Sequence, residues 1–422
     1  MTNNDNRRTA DFSPEEFFAS YESLAQGSQT IQLGDAKVVD SASENSFTIA
    51  TGSILEVAGK KYGAIEHIGK GCNGGVVLCK ELSENSQGTD NSEVVIKYAF
   101  EGREEAIRRE ISYMDKLSHK GIVRLLGSGM IDAQVQRNGV DEKRSLEVLV
   151  AERLFENPYC HYAKPLAPAI AIDVYVNSLL NLEDIHRAKF IHGDIKPENL
   201  LLRANLQLSK ASRRVPRLSE EEENVQSYRD RCYAFMLMYG EYMPVLGDLG
   251  CAVDMSSRVL KEYPATPAYL CPEAMLDFKM GPKRDVWALT VSFIEMLTGI
   301  KPYADMNGLA GIGKAMIAKT LPFDLSRVLD RTFLPVLQEC QDKELYQALE
   351  KVGSDIQKIA DRGIVMDPAR RASTFELIEL CVNLFKVRST SYTDSDGVVQ
   401  KRWTQSVLPK LQPGDSFFKR RK

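Results

Sequence analysis

No stretch of this 422-residue sequence reaches the ~18 uninterrupted apolar residues of a membrane span; its best candidate, PLAPAIAIDVYV, is broken by Asp173. The opening residues, MTNNDNRRTADFSPEEFF, lack the apolar core of a signal peptide. The eight cysteines are scattered, with no CxxC pair and no histidine spacing that would make a zinc site. Free thiols in a reducing compartment are the expectation. There is no surplus of either charge: the net value is −4, which calls for neither nucleic acid nor a membrane surface as the main partner. No internal repeat is visible. What remains is an ordinary globular composition, 43% hydrophobic and 27% charged, long enough for two or three compact units. The setting expected is cytoplasmic, with the terminal Lys419-Arg420-Arg421-Lys422 leaving a nuclear address open.

Residues 1–55 are rich in Asn, Ser, Thr, Asp and Gly and read as a flexible tail. Short β-prone runs follow at 62–68, 76–79 and 94–98. A helix over 104–117 comes next, with Ile107, Ile111, Met114 and Leu117 on one face. Strand candidates at 122–126 and 146–151 flank Asn138-Gly139, a hairpin-turn signal. The second half reads as helical, most clearly over 167–188 and 285–298, then near 327–338, 343–361 and 374–385. From Val387 onward the sequence is polar.

Gly69-Lys70-Gly71-Cys72-Asn73-Gly74-Gly75-Val76 is a G-x-G-x-x-G-x-V run, whose backbone can approach phosphates closely. By itself it fits a plain glycine turn equally well. A dinucleotide fingerprint needs a helix directly afterwards, and a β-prone run stands there instead. Val94-Val95-Ile96-Lys97 is a strand ending in a lysine; alone, such a lysine is a solvated edge charge. Glu110, on the following striped helix, offers the carboxylate that a buried ammonium needs. The most specific run is Ile191-His192-Gly193-Asp194-Ile195-Lys196-Pro197-Glu198-Asn199. Here Asp194 can accept a hydroxyl proton, Lys196 can neutralise a transferring phosphoryl group, and Asn199 can offer a neutral oxygen to a metal ion. Gly247-Asp248-Leu249-Gly250 supplies a further carboxylate, the hard ligand Mg²⁺ prefers. Glu273 and Arg371 could form a planar, bidentate structural pair.

In this order the motifs resemble the protein kinase family, over about 62–385. The resemblance implies an α+β bilobal fold with ATP and Mg²⁺ in the cleft. It divides the chain into a tail (1–55), a kinase domain (56–386) and a polar, basic tail (387–422). Within the domain it sets a small antiparallel β lobe with one helix (about 56–152) against a larger helical lobe (about 153–386). It further implies that Gly69, Gly71 and Gly74 cover the phosphates and that Lys97, paired with Glu110, contacts them. Asp194 becomes the base and Lys196 its cationic neighbour, while Asn199 and Asp248 hold the metal. Backbone groups of Glu152 and Leu154 would bind adenine, sandwiched by Val76, Val95 and Leu201, with the small Ala151 guarding a back pocket. Lys196 and Thr266 resemble the serine/threonine branch, and Glu198 would favour a basic side chain near the acceptor.

Four departures stand out. Gly193 replaces the arginine that in the family binds a phosphate on the activation loop, which implies activity without that phosphorylation. Leu249 and Cys271 replace a phenylalanine and an alanine. Asn199 and Asp248 are separated by a long extra segment, about 203–243, read as a surface excursion or a docking insert for a partner. The expected activity is phosphoryl transfer to Ser/Thr hydroxyls of protein substrates. The alternative is a pseudokinase acting as a scaffold, which should have lost Lys97, Asp194, Asn199 or Asp248; all four are present.

Overall fold

Among the described residues, several strands up to Glu152 alternate buried and more exposed positions, and the helices that follow bury their apolar faces. In a computed structural model, residues 31–33, 36–38, 47–71, 73–82, 93–118, 121–204, 242–256, 266–277, 281–306, 308–340, 343–393 and 399–408 are described. β1 (Ile31–Leu33) and β2 (Ala36–Val38) pair with each other. Then come β3 (Thr48–Ile49), β4 (Ile54–Val57), β5 (Lys60–Lys70), β6 (Gly74–Leu82) and β7 (Glu93–Ala99). Helix α1 (Glu104–Lys116) leads to β8 (Leu125–Arg137) and β9 (Val140–Glu152). Strands β3 to β9 form one antiparallel sheet in the order β3-β8-β9-β7-β6-β5-β4. Asn138 and Gly139 join β8 to β9 with φ of 51° and 80°, the double positive φ of a type I′ turn.

The two faces of this sheet differ. Val77, Cys79, Val94, Ile96, Tyr98, Val148 and Val150 point into the small-lobe core. Val76, Val95 and Lys97 on the other face stay half-buried, looking onto the space below the sheet. Two expectations change here. Residues 47–55 are not tail: Phe47 stacks on Tyr98 at 5.7 Å and meets Phe100 edge-on at 5.5 Å, while β3 and β4 join the sheet. Strands of two and four residues have no period strong enough to show against a polar sequence; their partners create them. The strand expected at 122–126 also fails to join the sheet before Leu125. Instead Val123 N–H donates to the Leu246 carbonyl (3.1 Å), and Leu246 N–H donates to that of Gly121 (2.8 Å).

The larger lobe runs through α2 (Pro158–Tyr162), α3 (Pro168–Arg187), β10 (Phe190–Ile191), β11 (Leu200–Ala204), β12 (Tyr242–Leu246), β13 (Val253–Asp254) and α4 (Pro272–Asp277). It continues with α5 (Lys283–Thr298), α6 (Gly308–Ile317), α7 (Leu325–Glu339), α8 (Lys343–Gly363) and α9 (Thr374–Phe385). α5 is the central rod, buried from Arg284 to Leu297 because it is apolar around most of its circumference. Tyr175 of α3 stacks on Phe293 of α5 at 4.3 Å, and a methyl group on Gly363 would lie 2.2 Å from the Thr290 hydroxyl, so α8 crosses α5 in close contact. Ser373 and Glu376 close a capping box at the start of α9. The Arg371 guanidinium forks onto Glu273 at 2.6 and 3.0 Å, as its residue types suggested, and also donates to the carbonyls of Val365 and Lys283.

The polar stretch from 387 is likewise not all tail. β14 (Arg388–Thr393) and β15 (Val399–Thr404) form a hairpin that docks on α3. Trp403 and Asn177 exchange hydrogen bonds of 2.7 and 3.1 Å, and Arg402 donates to the Tyr242 carbonyl at 2.9 Å. Most of the long segment expected at 203–243 lies outside the described residues. Its two ends are strand, Arg203 pairing with Met243 and Ala204 with Tyr242.

Candidate functional site

Between β5 and β6 the glycine run makes a tight turn, closed by Gly71 N–H donating to the Gly74 carbonyl at 2.9 Å. Its glycines serve different needs. A methyl on Gly74 would lie 1.9 Å from the Tyr98 carbonyl oxygen, and one on Gly75 would lie 2.3 Å from the Tyr98 ring. Gly69 and Gly71 would meet nothing closer than 3.6 and 4.0 Å, so protein packing does not require glycine there. Open space at backbone N–H groups is what a phosphate chain needs.

Lys97 leaves β7 toward the interlobe space with its side chain 16% exposed, and its ammonium lies 2.7 Å from Glu110 Oε2 and 2.7 Å from Asp248 Oδ1. Burial alone would lower the pKa of Lys97, but the Asp248 and Glu110 carboxylates outweigh it, and the group is held above the usual lysine range. For Asp248 the Lys97 charge dominates and holds the carboxyl well below its usual range. Burial pushes the Glu110 carboxyl up, against the pull of Lys97. Asp248 has a left-handed backbone (φ 54°) and its Oδ1 accepts from Gly250 N–H at 3.2 Å. A methyl on Gly250 would lie 3.0 Å from that oxygen, a tight contact, and 3.5 Å from both Glu110 and Lys97, so the triad leaves little room there. At 44% exposure the Asp248 carboxylate faces the open space.

The loop between β10 and β11 holds the second cluster. Asp194 Oδ1 accepts from the backbone N–H and the hydroxyl of Thr266, both at 3.0 Å. Its Oδ2 lies 2.9 Å from Lys196 Nζ and accepts from Asn199 Nδ2 at 3.3 Å. Lys196 also donates to the Thr266 hydroxyl at 2.9 Å. Burial opposes the Lys196 charge, but Asp194 prevails and raises its pKa. Asn199 Nδ2 donates to the Asp194 carbonyl at 2.7 Å, which leaves its amide oxygen as the end suited to a cation. Among the described residues no group of three His, Cys, Asp or Glu side chains could hold a metal unaided. The Asp248 and Asn199 oxygens therefore fit a hard ion that shares its remaining positions with phosphate oxygens and water, as Mg²⁺ does.

Underneath, Asp285 of α5 is fully buried and accepts from His192 N–H (2.8 Å) and Gly193 N–H (2.9 Å), with His186 Nε2 at 3.0 Å. His192 Nε2 meets the Gly247 carbonyl at 2.9 Å, tying this loop to the Asp248 loop. Gly193 has φ +87°, and a Cβ there would lie 2.3 Å from the Cys251 carbonyl, so a side chain is excluded by both backbone and neighbour. Sequence reasoning named Asp285 only as the start of a helix and missed its hold on the loop. It is a buried acid whose partners on the loop are backbone N–H groups, invisible to a side-chain pattern.

At the junction of the lobes Ala151 is buried, paired with Val95 and Leu125. Leu154, Val76, Val95 and Leu201 are all half-buried. The Glu152 side chain has a task that the sequence did not suggest. Its carboxylate accepts from Arg124 N–H at 2.8 Å and from Arg203 Nε at 2.8 Å.

The family described as protein kinase domain matches residues 62–381. A probable serine/threonine-protein kinase of Dictyostelium discoideum is 24% identical over 69% of this chain and 50% of its own length. The serine/threonine-protein kinase tricornered of Drosophila melanogaster is 30% identical over 30% of the chain and 29% of its own. Mitogen-activated protein kinase 13 of Arabidopsis thaliana is 22% identical over 78% of the chain and 81% of its own. The chain spans at most half the length of the first curated relatives it matches.

Proposed function

The chain belongs to the protein kinase family, and from that premise we propose that it transfers the γ-phosphoryl group of ATP to serine and threonine hydroxyls of proteins. The observation that carries this reading is the meeting of two clusters from distant parts of the sequence: Lys97 between Glu110 and Asp248, and Asp194 between Lys196, Thr266 and Asn199.

In this reading Asp194 accepts the acceptor's proton, and Lys196 balances charge developing on the transferred group. Glu110 orients Lys97 toward the α- and β-phosphates. Gly69, Gly71 and Gly74 keep the covering turn free of side chains. Asp248 and Asn199 would hold Mg²⁺, which when bound neutralises phosphate charge. Backbone groups of Glu152 and Leu154 bind adenine between Val76, Val95 and Leu201. The link from Thr266 to both Asp194 and Lys196 favours the serine/threonine branch. Label from [γ-³²P]ATP should appear on a generic protein acceptor as phosphoserine and phosphothreonine; label confined to tyrosine, or none at all, would overturn the proposal.

The enzyme is further proposed to need no phosphate on its activation loop. What supports this is the 192–199 loop: Gly193 sits at positive φ against the Cys251 carbonyl, and Asp285 and Thr266 hydrogen-bond Gly193 and Asp194. Phosphatase treatment, or Ser256→Ala with Ser257→Ala, should leave activity unchanged; near-complete loss would refute this. Ser257 itself lies outside the described residues. A partner docking at the 203–243 stretch belongs to the same proposal. Among the described residues no helix is long and apolar enough to cross a membrane.

A further inference from the structure

Arg203 stands at the foot of β11, where the extra segment leaves the domain, yet its guanidinium turns back to the junction of the lobes. It donates through Nε to Glu152 Oε2 at 2.8 Å, through Nη2 to Glu152 Oε1, and through the same nitrogen to the Ile122 carbonyl at 3.1 Å. Both side chains are largely buried, 13% and 8% exposed. The pair is the bidentate fork that an arginine forms with a carboxylate and a lysine cannot.

Three chain segments meet at this fork. Glu152 ends β9 and opens the connection between the lobes. Ile122 lies in the stretch between α1 and β8, which is fastened to β12 through Leu246. Arg203 belongs to β11, whose Leu202 exchanges backbone hydrogen bonds with Phe155, at 2.9 and 2.7 Å, just past Glu152. The backbone on both sides of the connection is thus laddered to the β11–β12 pair, and the Arg203 side chain bridges all three segments. A charge pair this deeply buried is strongly unfavourable to break from one side, since the other partner is left uncompensated.

We infer that Arg203 is a positioning residue for the nucleotide: by gripping Glu152 and Ile122 it fixes the backbone of 152–154 that meets adenine. This rests on the ATP reading above, and the experiment separates the two. Adenine is remote from the transferred phosphoryl group, so an adenine-positioning residue contributes equally to ground and transition states and its loss appears in KM rather than kcat.

The test uses the full chain with Arg203→Met, Arg203→Lys and, as a control, Arg124→Met, whose half-exposed guanidinium stands 3.7 Å from Glu152, beyond hydrogen-bond distance. Calorimetry first measures MgADP binding to the wild type. No binding there removes the ATP reading and this inference with it, before any variant is made. With binding established, Arg203→Met should raise both KM for ATP and the Kd of MgADP about tenfold, with kcat and the acceptor KM within about twofold. Arg203→Lys, keeping the charge without the fork, should fall between, and Arg124→Met should match the wild type. If Arg203→Met does not fold, Arg203→Lys carries the test through the same split between KM and kcat. An unchanged KM for ATP in a folded Arg203 variant overturns the inference. So does a rise in kcat, which would mean that the fork restrains the connection instead of shaping it.

Discussion

Replacing Asp285 by asparagine changes one atom and one charge while keeping the shape. Oδ2 accepts from His192 N–H at 2.8 Å and faces His186 Nε2 at 3.0 Å, and Oδ1 accepts from Gly193 N–H at 2.9 Å. Whichever way the new amide turns, its NH₂ group meets a backbone N–H of the loop, either that of Gly193 or that of His192. One buried donor is orphaned, costing about 1–3 kcal/mol, and the surviving bonds lose the charge assistance that roughly doubles their strength. The expected total is about 2–4 kcal/mol of stability, or about 2–5 °C in Tm for a chain of this size. Asp194, one or two residues from the orphaned N–H, shifts with the loop, and a displacement of about 1 Å is enough for about a hundredfold loss in kcat.

The pH dependence follows from the same group. Burial opposes the charge on Asp285, but the bonds from His186 and the loop N–H groups prevail and hold its carboxyl below the usual range. A carboxyl depressed in the folded state stabilises fully above its unfolded value, about pH 4, and loses that contribution as pH falls through the folded value. The difference in stability between wild type and Asp285→Asn should therefore be complete at neutral pH and narrow in strong acid. Urea unfolding followed by the fluorescence of buried Trp287, beside steady-state kinetics, measures both quantities. Equal midpoints and equal kcat at pH 7, or a difference that widens on acidification, would refute the reasoning.

Three further perturbations have definite outcomes. Arg371→Leu leaves Glu273 and the carbonyls of Val365 and Lys283 without their donor, so the urea midpoint should fall by the equivalent of about 3–5 kcal/mol; a change below about 1 kcal/mol would show that the pair is idle. Gly193→Ala forces a side chain into a left-handed position 2.3 Å from the Cys251 carbonyl, and should cost at least about 1–2 kcal/mol together with a drop in kcat; a fully stable and active variant would contradict the geometry. Ala151→Met fills the space between Val95 and Leu125 and should abolish inhibition by bulky ATP-site ligands while sparing compact ones; equal sensitivity of both forms to both ligand classes would count against an open back pocket.

The candidate site was legible in the sequence because its residues stand in contiguous runs with the spacing that phosphoryl transfer would ask of them. Lys97 with Glu110, and Asp194 with Lys196 and Asn199, are brought together as those runs implied. Glu273 and Arg371 were legible for a different reason, since a buried fork needs those two residue types. What the sequence concealed is structure that exists only through its partners. Phe47–Ile49 is too short to show a period, and the strands Arg388–Thr393 and Val399–Thr404 are polar on average; tertiary contact supplies their order. Helix α6, GLAGIGKAMI, carries three glycines and looks like a loop, but Ala310, Ile312, Ala315 and Met316 pack against Met275 and Tyr303. The braces of the site, Asp285 and Arg203, grip backbone atoms or residues far away in the chain, and no local pattern announces such a grip.

The most direct test of the account separates binding from transfer at Asp194. Wild type and Asp194→Ala are compared for MgADP affinity by calorimetry and for transfer of label from [γ-³²P]ATP to a protein acceptor. The account predicts comparable nucleotide affinity and a loss of transfer of at least about a hundredfold in the variant. Undiminished transfer without that carboxylate, or a wild-type protein that binds no Mg-nucleotide, would contradict it.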